Sequence, residues 1–295
     1  MNDQSNGWSA VQGAAVIILI RLTAFFCCDA PYSAAYALGM LAAAAIQSAL
    51  MLLLLRVRLP IRGAGEILMR IYAVFCAAFL TGLLLRLYRQ LRLVHFAGFV
   101  ILLLLTLCDT ASLQERAAAR AAVILLCIAG LGFLLLPVSG IGTARRILLH
   151  TPDSVWAGFC REWRYACELP LLLWVRQKQA PDAARHSTFA WAFVRCIFLP
   201  ALVLFGAMQN GRLLRFAGNP FFLLLARTPL SDAVRTDGLW MMLAFGCGIV
   251  SITFCLQTAM PPQRKKLRRF ASAFLPYLFL LGAGAILGAD TLLPA

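Results

Sequence analysis

Three ionisable residues stand inside stretches that are otherwise apolar: Arg21, Glu168 and Arg195. A charge at the centre of a bilayer costs about 2.5–3.5 kcal/mol on insertion scales, so each must face a partner, a cavity or water. Glu168 sits in Tyr165-Ala166-Cys167-Glu168-Leu169-Pro170. Pro170 has no N–H and crowds the carbonyl one turn earlier, that of Ala166. The backbone is therefore expected to open between Ala166 and Pro170. Open backbone at membrane depth is tolerated only where protein or a watery cavity satisfies it. A carboxylate beside freed backbone groups is the local pattern of a small-solute site, with Tyr165 and Cys167 as flanking contacts. The competing reading is a proline kink in which Glu168 neutralises a buried arginine.

A second irregular stretch, Arg21 to Pro31, mixes β-branched, polar and aromatic residues and ends in proline. Thr23, Ala24 and Phe25 are its candidate ligand contacts, and Arg21 either pairs with an acid or gates the site. Arg195 lies early in its apolar run and is expected to snorkel to the cytoplasmic face. Glu66 and Arg70, one turn apart, read as an interfacial ion pair. Other chemistry is absent: there is no H-E-x-x-H, no G-x-S-x-G and no phosphate-binding loop. His95, His150 and His186 are isolated, and no metal site is expected. Cys27, Cys28, Cys76, Cys127, Cys196, Cys247 and Cys255 lie in apolar runs without a C-x-x-C pair, which reads as small buried thiols. Gly282, Gly284 and Gly288 read as close helix packing.

The elements that position these residues follow from composition. Hydrophobic residues make up 62% of the 295 and charged residues 13%, against roughly 25% charged in a soluble domain. Such a chain cannot cover a water-facing surface, so the length is better spent on helices of about 20 residues that cross a bilayer. The net charge of +15 does not indicate nucleic acid, because the basic residues sit between apolar runs, where lipid headgroups meet them. Nine spans are expected, near residues 8–28, 33–55, 67–87, 93–107, 117–138, 156–175, 188–208, 238–260 and 270–287. An apolar patch at residues 220–226 is too short to cross. Residues 1–7 carry no Lys or Arg ahead of the first run, so that run is expected to stay as a span. The expectation is an all-α polytopic bundle forming one transmembrane domain over residues 1–295. Arg264, Lys265, Lys266, Arg268 and Arg269 crowd one short loop and put it, with the N-terminus, in the cytoplasm. Many transporters repeat five helices in inverted topology and break spans one and six at the solute site. The two irregular spans here are the first and the sixth, so a LeuT-like inverted repeat with an incomplete second half is expected.

Four stretches carry a resemblance. They are Gln12 with Ile17-Ile18-Leu19-Ile20-Arg21-Leu22; Leu80 to Leu93 with Arg86 near the outer end; Glu115 to Arg120; and Phe159 to Trp174 with Glu168, followed by Asn219-Pro220-Phe221 and Arg235-Thr236-Asp237-Gly238-Leu239-Trp240. Together they resemble the spore germination permeases, the B-type membrane subunits of germinant receptors, relatives of the amino acid–polyamine–organocation transporters. The chain departs from that pattern by stopping after nine spans where ten are usual, and by Asn219-Pro220 in place of Tyr-Pro. The resemblance implies sensing of a small germinant, commonly an amino acid, in the spore inner membrane, alongside an A-type membrane subunit and a C-type lipoprotein. It implies no enzyme activity and no cofactor, and gives Arg21, Arg86 and Asp237 structural or gating roles. A proton-coupled amino acid permease and a ligand-free membrane scaffold are the alternatives.

Overall fold

The structure is a computed structural model, and it describes residues 7–28, 32–56, 63–91, 96–111, 115–140, 154–210, 219, 221, 222, 224 and 236–260. Among them the regular structure is helical: α1 (Ala10–Phe26), α2 (Ala34–Arg56), α3 (Ala64–Gln90), α4 (Phe96–Ala111), α5 (Glu115–Gly140), α6 (Val155–Arg164), α7 (Glu168–Gln177), α8 (Pro181–Phe193), a π-helical turn (Val194–Phe198), α9 (Leu199–Asn210) and α10 (Thr236–Ala259). Five stretches are long and apolar enough to cross a bilayer: Ala34–Leu55, Ala64–Gln90, Glu115–Leu134, Pro181–Gln209 and Gly238–Ala259. They match the second, third, fifth, seventh and eighth expected spans. The first and fourth are shorter apolar helices, Ala10–Phe26 and Gly98–Thr110. The sixth is two ten-residue helices, each too short to cross alone. The ninth expected span and the basic loop before it lie outside the described residues.

Burial is arranged as a membrane protein requires. Large apolar side chains face outward on the long helices, with Leu68 69%, Phe75 66% and Met242 73% exposed, while Arg21, Glu162, Glu168 and Arg195 are each at most 3% exposed. Lipid tails are as apolar as leucine, so only polar groups gain by turning inward. This is a helical integral membrane protein.

Local sequence explains where the helices begin and break. Ser9 and Gln12 form a reciprocal capping box that starts α1. Ser154 caps α6 by accepting from the Trp156 N–H at 3.1 Å. Pro181 stands in the first turn of α8, where its missing N–H costs nothing. Gly39 and Gly158 let α2 and α6 touch backbone to backbone: a Cβ on Gly39 would lie 2.1 Å from the Val155 carbonyl oxygen, and one on Gly158 2.7 Å from that of Tyr36. The first half of the sixth span is thereby held along α2.

At the end of the bundle where α1 starts, Trp8 N–H donates to the Lys178 carbonyl at 3.0 Å. Lys178 Nζ meets Glu115 at 2.5 Å and lies over the rings of Trp8 and Trp174. At the opposite end, Phe25, Phe26, Phe133, Phe221 and Trp240 form one aromatic cluster. Asn219 Nδ2 caps the end of α1 there by donating to the Phe26 carbonyl at 2.8 Å. The apolar patch expected not to cross therefore packs into the bundle through the buried Phe221, Phe222 and Leu224.

Candidate functional site

The sixth span breaks at residues 165–167, between α6 and α7. This is slightly earlier than proline chemistry predicts. Pro170 is the third residue of α7, where no helical N–H is needed and the carbonyl four residues back lies outside the helix. The break leaves carbonyls unserved by helix bonds, and side chains from neighbouring spans serve them. Arg21 Nη1 on α1 donates to the Tyr165 carbonyl at 3.2 Å. Tyr72 Oη on α3 donates to the Cys167 carbonyl at 2.9 Å, and the Cys76 thiol approaches the same oxygen.

The seventh span is also irregular. Leu199 N–H bonds to the Val194 carbonyl, five residues back, which is the π-helical pattern. Pro200 supplies the cause: it has no N–H for the Cys196 carbonyl, and its ring pushes that carbonyl away. Arg195 lies within the π turn and is fully buried. Its guanidinium carbon sits 5.0 Å from the centre of the Trp191 ring.

These two irregularities bring four charges together. One Glu162 oxygen pairs with Arg21 Nη2, and the other with Arg195 Nη2 at 2.5 Å. Arg195 Nη1 lies 3.2 Å from Glu168 Oε1. The chain Arg21–Glu162–Arg195–Glu168 sets two arginines against two carboxylates in the interior of the bundle. Arg21 is eleven residues beyond Ala10, the start of α1, or about 17 Å at helical rise, in a hydrocarbon core about 30 Å thick.

The two carboxylates differ. Glu162 accepts charge-assisted hydrogen bonds from both arginines. Neither Glu168 oxygen accepts a hydrogen bond among the described residues, although the side chain is fully buried. Arg195 Nε and Nη1 and the Trp191 indole N–H are likewise without an acceptor. Bare acceptors on Glu168 thus sit beside bare donors on Arg195, an unusual state for buried groups.

Several expectations need correction. Arg195 does not snorkel; two acids hold it in the interior. The first span is not broken within Ala10–Phe26. It has no proline before Pro31, and the Thr23 hydroxyl bonds back to the Leu19 carbonyl at 2.9 Å without interrupting the helix. Glu168 faces Arg195 and not the stretch from Thr23 to Cys28. Thr23 turns to Ser251 on α10, at 3.2 Å. Ala24 is core, and Phe25 belongs to the aromatic cluster. Among the thiols of the apolar runs, Cys127 is exposed and Cys196 only partly buried, while Cys27, Cys28, Cys76, Cys247 and Cys255 are buried.

Other residues fall where expected or stand apart from the network. Tyr165 and Cys167 form the break and contribute carbonyls to it. Arg86 is half-buried on α3, and Asp237 is the second residue of α10. Glu66 and Arg70 pair at 2.5 Å. Glu162 went unnoticed in the sequence because Arg161 and Arg164 flank it and disguise it as an interfacial charge. Charge balance could have found it: two buried arginines need two acids, and Glu168 is only one. Compared with known proteins, the chain matches no family model, no curated protein and no solved structure.

Proposed function

We propose that this protein is a B-type membrane subunit of a spore germinant receptor, placed in the spore inner membrane, that binds a small zwitterion such as an amino acid at the break of the sixth span. The observation that carries this reading is the buried Glu168 carboxylate without a hydrogen bond, held at a break in a membrane helix next to Arg195. An ammonium group satisfies Glu168, and a carboxylate satisfies the bare donors of Arg195 and Trp191. Exchanging one internal ion pair for two ligand contacts keeps the site neutral. The A-type membrane subunit and the C-type lipoprotein are its expected partners, by resemblance.

Helix pairing supports the nine-span inverted repeat that this reading assumes. If spans one to five correspond to six onward, contact between spans one and seven implies contact between six and two, and contact between one and eight implies contact between six and three. All four pairings occur: α1 with α8, α6 with α2, α1 with α10, and α7 with α3. A five-crossing repeat ends on the opposite side from where it began, so the second copy starts inverted.

Glu168→Gln tests the proposal, because it keeps shape and deletes charge. Loss of a charge-assisted hydrogen bond worth roughly 1.5–3 kcal/mol raises the half-saturating germinant concentration about 10- to 150-fold, with membrane abundance unchanged. Unchanged sensitivity at unchanged abundance removes Glu168 from the site. A fall in abundance alone favours the ligand-free scaffold.

One observation favours a proton-coupled permease as the second reading. Arg195 retains Glu162 when Glu168 is protonated, so Glu168 can carry a proton without stranding the arginine. Substrate flux into vesicles holding this chain alone, driven by a pH gradient and lost in Glu168→Gln, selects that reading.

A further inference from the structure

Helix α6, the first half of the expected sixth span, is mostly uncovered. Of its ten residues only Gly158 and Glu162 are buried. Trp156 is 67% and Trp163 40% exposed, and Ala157, Cys160 and Arg164 are exposed too, with Arg161 partly buried. Trp156 stacks on Phe159 at 5.2 Å, and Phe159 leans toward Trp163 at 6.3 Å. The aromatic residues form one border of the outward face. Ala157, Cys160 and Arg164 follow one another at helical spacing along its middle, and Arg161 lies on the other border.

Neither Arg161 nor Arg164 has an ion pair or hydrogen bond among the described residues. Arg164 is the last residue of α6 and directly precedes the break, which the expected sixth span, residues 156–175, sets about midway across. An arginine side chain is shorter than the roughly 15 Å from mid-bilayer to either headgroup layer, so lipid phosphate is out of its reach. Among the described residues, the acids of this span are turned into the interior and ion-paired there: Glu162 with Arg21 and Arg195, and Glu168 with Arg195. The chain has 27 Lys and Arg against 12 Asp and Glu. The expected ninth span, residues 270–287, contains no acid.

We infer that this face docks a transmembrane helix of another protein that carries an aspartate or glutamate near its midpoint. The small side chains of Ala157 and Cys160 allow a partner backbone to come close, the packing mode that works without a hydrophobic driving force. Trp156 and Trp163 line one side of the partner, and its carboxylate pairs with Arg164, with Arg161 one turn's reach away on the other border. This inference rests on membrane placement and charge, and is independent of what binds at Glu168.

The test uses the full chain in phosphatidylcholine–phosphatidylglycerol vesicles with a membrane-spanning polyleucine peptide. The peptide bears a photoreactive group and either a central Asp or a central Leu. The Asp peptide is expected to crosslink to residues 155–164 at least about five-fold more than the Leu peptide. The double variant R161L/R164L brings the Asp peptide down to the Leu level. Should that variant fail to accumulate, Arg164→Gln serves for the same comparison. Equal crosslinking of the two peptides overturns the inference, as does an Asp preference that survives these substitutions. So does a face occupied by lipid, seen as phosphatidylglycerol retained through Arg161 and Arg164 with no Asp preference. Crosslinking between two copies of the chain through α6, with no Asp preference, overturns it equally.

Discussion

Glu162 and Glu168 are six residues apart in one span, and both touch Arg195, but they do different work. Glu162 links two arginines from two other helices, so Glu162→Gln leaves both short of a counter-charge. Breaking a buried pair typically costs 3–5 kcal/mol, and abundance in the membrane is expected to collapse. Glu168→Gln leaves Arg195 paired with Glu162, so abundance stays near wild type. An immunoblot of membranes from the two variants, grown in parallel, checks this ordering. Equal losses would make Glu168 as structural as Glu162. That Arg21, Glu168 and Arg195 are charges set in apolar runs was legible in the sequence; that Arg195 turns inward was not. Nor was their pairing, because contacts between residues as distant as Arg21 and Glu162 depend on how helices rotate against each other.

At the scale of elements, two prolines in neighbouring spans have unequal consequences. Pro170 lies in the first turn of α7, a position where proline suits a helix. Pro170→Ala is therefore expected to change stability by less than about 1 kcal/mol, since the broken backbone is held by Arg21 and Tyr72. Pro200 is interior to a helix and produces the π turn that carries Arg195. Pro200→Ala lets that turn relax to α-helix and rotates Arg195 relative to Glu162 and Glu168. It is expected to lower the midpoint of thermal unfolding in detergent more than Pro170→Ala does, despite removing a helix breaker. The opposite order would mean that Pro200 does not set the register of Arg195. Gly39 sits at the closest approach of α2 and α6. Gly39→Leu forces those helices apart and is expected to destabilise by about 1–3 kcal/mol, as overpacking does; the same melting assay reads it.

For the whole molecule, orientation follows from charge. The contacts of Trp8, Lys178 and Glu115 gather the start of α1, the start of α5 and the turn after α7 at one end of the bundle. With the N-terminus cytoplasmic, as the basic sequence at residues 261–269 leads one to expect, that end faces inward. Cysteine substituted for Gln263, in a background without reactive native thiols, is expected to resist an impermeant thiol reagent applied from outside. Rapid labelling from outside inverts the topology. The basic loop is also expected to hold anionic lipid, at about 1 kcal/mol per basic residue near the surface.

Membrane class, the places of five long apolar helices and a break in the sixth span beside Glu168 were legible in the sequence alone, but the nine expected spans were not all met by helices long enough to cross. Each legible feature depends on local properties: apolar run length, the missing N–H of proline, and the cost of a charge in hydrocarbon. The tertiary structure decided what those local features meet. It showed the first span unbroken, because polar residues such as Thr23 can bond within their own helix and need not open it. It turned Arg195 inward, because two acids offered by the sixth span outweigh a climb to the headgroups. It also made Glu162 a central residue, although its neighbours in sequence are charged. Side-chain direction around a helix changes by about 100° per residue, so only the packing of α6 against α2 could decide which of residues 161–164 enters the interior.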